Sequence, residues 1–62
     1  MTSKQRYDDL VDKQSHFGSG GISMMDHAEM WWYEQGKDIP ERDTEESQTM
    51  YESWVEFAFK DL

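Results

Sequence analysis

Apolar side chains recur along this chain at spacings of three and four, in three runs separated by two polar stretches that hold the glycines and the proline. In the first run Tyr7, Leu10, Val11, Gln14 and Phe17 share one helical face, and Asp8, Asp9, Asp12 and Lys13 take the other. Thr2 or Ser3 can cap this helix, and GSGG at 18–21 ends it by letting the chain turn sharply. The second run starts at Ser23, a good N-cap, with Asp26 three residues on as an acidic capping box. The charge of Asp26 also suits the positive end of the helix dipole, and Gly36 is placed to stop the helix. Pro40, within KDIPERD, forces Ile39 out of the α region and makes this an extended connector.

The third run holds Met50, Tyr51, Trp54, Val55, Phe57, Ala58 and Leu62. Asp43 or Thr44 can cap it, Glu45 and Glu46 load its first turn with the favoured sign, and Lys60 sits in the last. The pattern predicts an all-α, three-helix mini-domain with helices at about 4–17, 24–35 and 44–61, one domain over 1–62. No run alternates with period two long enough to predict a strand.

The stretch AEMWWYEQG poses a packing problem. Met30, Trp31, Trp32 and Tyr33 are consecutive, and consecutive helical residues point about 100° apart. Met25, Ala28, Trp32 and Gln35 share one stripe, and Met24, Ala28 and Trp31 another; Met30 and Tyr33 fall on a third side. Tyr51, Trp54, Ala58 and Leu62 form one stripe of the third helix and Met50 and Phe57 a second, with Phe59 pointing away from the first. A helix that is apolar most of the way round needs cover on several sides. A mini-domain of three helices cannot cover two of them, so some ring surface is expected to face a partner.

Composition sharpens this. A chain of 62 residues is marginal as a lone domain, and with no cysteine it has neither disulfides nor thiolate metal sites. Nine aromatic residues, Tyr7, Phe17, Trp31, Trp32, Tyr33, Tyr51, Trp54, Phe57 and Phe59, are left to build the core. The net charge of −8 argues against direct nucleic-acid binding and against an anionic membrane, and favours a basic protein surface. No apolar run reaches the length of a transmembrane helix, and MTSKQRYDDL has no apolar run behind its charges, so no signal peptide is expected. The chain therefore reads as a complete small cytoplasmic product.

Candidate chemistry is sparse. Asp12 with His16, and Asp26 with His27 and Glu29, could meet across the glycine loop around a divalent ion, but chance spacing and two solvent-facing histidines explain them better, so no metal or cofactor is expected. The neighbouring carboxylates Asp8–Asp9 and Glu45–Glu46 point to different sides of a helix. No serine sits in a nucleophile elbow, and GSGG lacks the lysine of a phosphate loop. An enzyme is not expected.

The segment EMWWYEQGKDIPERDTEESQTMYESWVEFAFKDL, about the last half of the chain, resembles the short acidic, Trp- and Tyr-rich proteins of tailed phages, those of marine cyanophages in particular. The resemblance lies in composition and phrasing, and it implies a host-takeover factor that binds and inhibits or redirects a host protein in the host cytoplasm, or a small virion component. It brings no site residues with it. Residues and resemblance together lead to a protein-interaction module. Trp31, Trp32, Tyr33, Trp54, Phe57 and Phe59 form the pool for core and anchor, and Asp43, Glu45, Glu46, Glu52 and Glu56 steer a basic partner. A small structural or assembly component of a virion, ordered among copies or neighbours, and a DNA mimic that blocks a nucleic-acid enzyme are the alternatives, and a homo-oligomer is also open.

Overall fold

The computed structural model describes residues 2–60, which form α1 (Ser3–Phe17), a 3-10 turn (Ser19–Gly21), α2 (Met24–Glu34) and α3 (Glu45–Phe59), with no strand among the described residues. The all-α, three-helix reading holds, with small shifts at the ends. The first helix starts at Ser3, and the ends expected at 35 and 61 fall at Glu34 and Phe59. Position 61 and Leu62 lie outside the described residues.

Local chemistry fixes the boundaries. Thr2 Oγ1 accepts from the Gln5 amide at 3.2 Å while the Thr2 amide donates to Gln5 Oε1 at 2.9 Å, a reciprocal capping box at α1. Ser23 and Asp26 form the box expected at α2, with both bonds at 3.1 Å. Thr44, and not Asp43, caps α3 by accepting from the Ser47 amide at 3.1 Å. Asp43 instead adopts φ 67°, a left-handed conformation that Asp tolerates better than most residues. Gly36, at φ 84°, ends α2: the amides of Gly36 and Lys37 donate to the carbonyls of Tyr33 and Trp32 at 2.9 and 3.3 Å, a Schellman pattern.

The topology follows from three pairs of side chains. Met24 meets Tyr51, His27 stacks on Trp54, and Trp31 stacks on Phe57. Both members of each pair advance along the chain together, so α2 and α3 run parallel. A tight turn cannot join parallel helices; the chain leaving the C-terminal end of α2 must travel back along it. An 11-residue helix is about 16 Å long, a span the extended connector easily covers. Pro40, which is buried, keeps that return path extended. The Ile39 amide pins it to α1 by donating to Ser3 Oγ at 2.9 Å.

The central helix is α2, which packs on both others; α1 and α3 make no close backbone approach among the described residues. Ala28, Trp32 and Met50 form the buried centre, with Met25, Trp31, Tyr51 and Trp54 packed around it. On the other side α1 contributes the fully buried Leu10, with Tyr7 and Gln14 half-buried. Val11 and Phe17, expected on the same face, are exposed, Phe17 by 71%. A helix with one neighbour buries a narrow stripe, and here Arg6 occupies part of it. After α1 the chain folds back so tightly that a side-chain carbon at Gly21 would overlap Phe17, which only glycine avoids.

Candidate functional site

The four consecutive large residues of α2 divide three ways. Met30 and Trp32 are buried, Trp32 only 9% exposed with the Lys37 ammonium 4.1 Å from its ring centre. Tyr33 turns to α1, where it stacks on Tyr7 at 4.9 Å, and the Tyr7 hydroxyl donates to Glu34 at 2.8 Å. Trp31 turns to α3 and stacks on Phe57 at 5.2 Å. Two of the six rings in the pool for core and anchor are therefore taken: Trp32 belongs to the core, and Tyr33 to the α1 contact on the opposite side of α2.

The other four rings form two pairs on α2 and α3, Trp31 with Phe57 and Trp54 with Phe59. Trp54 is the hub. Tyr51 lies 6.0 Å away, His27 stacks on it at 6.2 Å with nearly parallel planes, and Phe59 meets it edge-on at 5.9 Å. Phe59 therefore folds toward the Trp54 stripe and not away from it, because a long side chain in the last turn can reach back across the helix end. Tyr51 extends the run to Met24, its hydroxyl 4.0 Å from the thioether sulfur. Trp31 and Trp54 are half-buried, whereas Phe57 is 54% and Phe59 41% exposed, and Met24 is also exposed. The result is two ring clusters, Trp31–Phe57 and Tyr51–Trp54–Phe59 with His27, seated on the same buried centre, each with a half-buried inner ring and an open outer one.

The predicted acidic residues Asp43, Glu45, Glu46, Glu52 and Glu56 are all exposed. Glu45, Glu52 and Glu56 stand at helical spacing on the flank of α3 that also carries Phe59. Acid therefore adjoins the open ring of Phe59, on the face of α3 turned away from Trp54.

Sequence reasoning missed a second feature. Arg6, Asp26, Glu29 and Arg42, far apart in sequence, converge at the N-terminal end of α2. Arg42 Nη2 donates to Asp26 Oδ1 at 2.6 Å and to Glu29 Oε1 at 3.0 Å, and its Nε donates to Glu29 Oε2 at 3.4 Å. Arg6 Nη2 donates to the same two oxygens, Asp26 Oδ1 at 3.2 Å and Glu29 Oε1 at 3.0 Å. Glu29 is only 1% exposed. A buried carboxylate is tolerable only when paired, and these two arginines pair it while tying α1 and the connector to α2. Burial pushes the Asp26 carboxyl up, but the Ser23 amide, Arg42 and the Ser23 hydroxyl more than reverse this and hold it below the usual range. The Glu29 hydrogen bond, in turn, raises the Arg42 guanidinium further. The signal in the sequence was an acid at position 29, beside the buried Ala28 and among the apolar residues of α2.

Asp26 and Glu29 face arginines, His16 lies against the Asp12 carbonyl oxygen of its own helix at 3.0 Å, and His27 is half-buried on Trp54 instead of facing solvent. No cluster of three metal-ligating side chains exists among the described residues. No described helix is long and apolar enough to cross a membrane. Comparison with protein families, with curated proteins and with solved structures finds no match.

Proposed function

We propose that the chain is a small acidic protein-interaction module that grips a partner with a basic surface by the ring face of α2 and α3, and inhibits or redirects that partner, as a viral accessory protein does in its host cytoplasm. The observation that carries the reading is the presence on one helix of two open rings, Phe57 and Phe59, with an acidic flank of Glu45, Glu52 and Glu56 beside Phe59. Large rings seated on a packed base are the favoured anchors of protein interfaces, and a charged rim raises the rate of encounter. A basic partner fits better than a second copy, because a copy would bring the same acidic flank against itself at a net charge of −8 per chain. That argument also weighs against a virion component built from identical copies. DNA mimicry is favoured less, because Lys4 pairs with Asp8 and two arginines neutralise Asp26 and Glu29, which interrupts any phosphate-like row.

The test is capture from a host lysate with the wild-type chain and with Phe57→Ser/Phe59→Ser in parallel. The reading expects a protein with a basic surface that the wild type retains and the variant loses, with association slowed as salt rises. Partners recovered equally by both chains contradict it.

A further inference from the structure

A cleft of about 440 Å³ opens between the N-terminal ends of α2 and α3, lined by Met25, Asp43, Thr44, Glu45, Ser47, Gln48 and Tyr51. Among the described residues its only charged lining groups are the carboxylates Asp43 and Glu45, and no cation lines it. Ser47 supplies an independent observation. It is 2% exposed, lies in the wall of this cleft, and its Oγ has no hydrogen-bond partner among the described residues. A buried hydroxyl left unpaired is costly, and native folds rarely keep one unless something else completes it. Tyr51 connects the cleft to the ring face, since the same ring approaches Trp54.

We propose that this cleft receives one cationic side chain of the partner, a guanidinium or ammonium. The carboxylates of Asp43 and Glu45 flank the charge, the Tyr51 ring and Met25 thioether cover its aliphatic stem, and the Ser47 hydroxyl oxygen and the Gln48 side-chain carbonyl oxygen accept its hydrogen bonds. Two full negative charges outweigh the roughly half positive charge of the α3 N-terminus. An anionic ligand would meet both carboxylates, and an apolar one would leave Ser47 unpaired. A basic side chain satisfies every group in the cleft. The inference rests on the proposed basic partner and narrows it to a protein that places Lys or Arg next to the apolar residue seated on the rings.

The experiment is a two-dimensional amide NMR titration of the whole chain with N-acetyl-arginine amide, and with N-acetyl-citrulline amide as the uncharged counterpart. The expected result is saturable shifts at Thr44, Ser47, Gln48 and Tyr51 with the arginine probe, and binding about tenfold weaker with citrulline, the loss of one charge-assisted contact. Asp43→Asn/Glu45→Gln, which keeps a residue tolerant of the left-handed backbone at 43, is expected to lose about the same factor. Ser47→Ala, which removes only a hydroxyl unpaired within the fold, should keep the native spectrum and weaken the arginine probe severalfold. Equal shifts with the two probes, or an unchanged arginine titration in the double variant, overturns the inference. Shifts confined to Trp31, Trp54, Phe57 and Phe59 also overturn it, and leave the ring-face reading standing.

Discussion

Replacing Arg42 with alanine probes the polar cluster that orders the return path between the parallel helices. Three hydrogen bonds disappear, at 2.6, 3.0 and 3.4 Å. Removing one partner from a buried ion pair costs about 3–5 kcal/mol when the remaining charge is stranded. Two features reduce that here. The Arg42 side chain is 46% exposed, so water already shares its charge, and Arg6 remains 3.0 Å from Glu29 Oε1. Glu29 Oε2 nonetheless loses its partner in a place water scarcely reaches. The net cost is set at about 2 kcal/mol, which in a domain of this size lowers Tm by about 8–16 °C. Urea and thermal unfolding followed by far-UV circular dichroism measure it, with the exposed neighbour Glu41→Ala as a control expected to stay within about 0.5 kcal/mol. Glu29→Ala and the double variant close a cycle whose coupling is expected at about 1–2 kcal/mol. The reasoning is refuted if Arg42→Ala costs no more than Glu41→Ala, or if the cycle shows no coupling.

Acid should loosen the same cluster. The Asp26 carboxyl lies below its unfolded value of about 3.9, so its contribution is complete above about pH 4 and is lost as pH falls through the folded value; thermal melts should show Tm falling below about pH 4, less steeply in Asp26→Asn, and a Tm that rises on acidification would contradict this. Gly21→Ala forces a carbon onto the Phe17 side chain and should cost about 1–3 kcal/mol in urea unfolding, whereas Gly20→Ala, where the space is open, should cost less. Glu52→Gln/Glu56→Gln should slow association with a captured partner about threefold at low salt and leave dissociation nearly unchanged, as stopped-flow mixing would measure.

Much of the fold was legible because helix boundaries are local chemistry. Ser23 with Asp26, Thr44 at its cap and Gly36 at its left-handed position each act through bonds to residues a few places away, which the sequence displays directly. The division of the rings was legible only in part. Spacing shows that Met30, Trp31, Trp32 and Tyr33 must part company, but which faces α1 and which α3 depends on helix order in space, and nothing local encodes that α2 and α3 run parallel. For the same reason Val11 and Phe17 were expected to be covered: the apolar face of α1 is wider than the single neighbour it meets. The Arg6–Asp26–Glu29–Arg42 cluster joins residues up to 36 positions apart in sequence, and in a chain with 14 acidic residues no single carboxylate announces that it is buried. Its one trace is an acid seated at the apolar centre of a helix, which demands a cation from elsewhere.

The claim that the ring surface of α2 and α3 is the docking face meets a rival on α1, where Phe17 and Val11 are also exposed. The direct test is the affinity of a captured partner for two double variants, Phe57→Ser/Phe59→Ser and Val11→Ser/Phe17→Ser, by titration calorimetry. The account predicts that the α3 pair weakens binding by about 2 kcal/mol or more while the α1 pair leaves it within about 0.5 kcal/mol. The reverse order, with affinity lost from α1 and kept on α3, would contradict it.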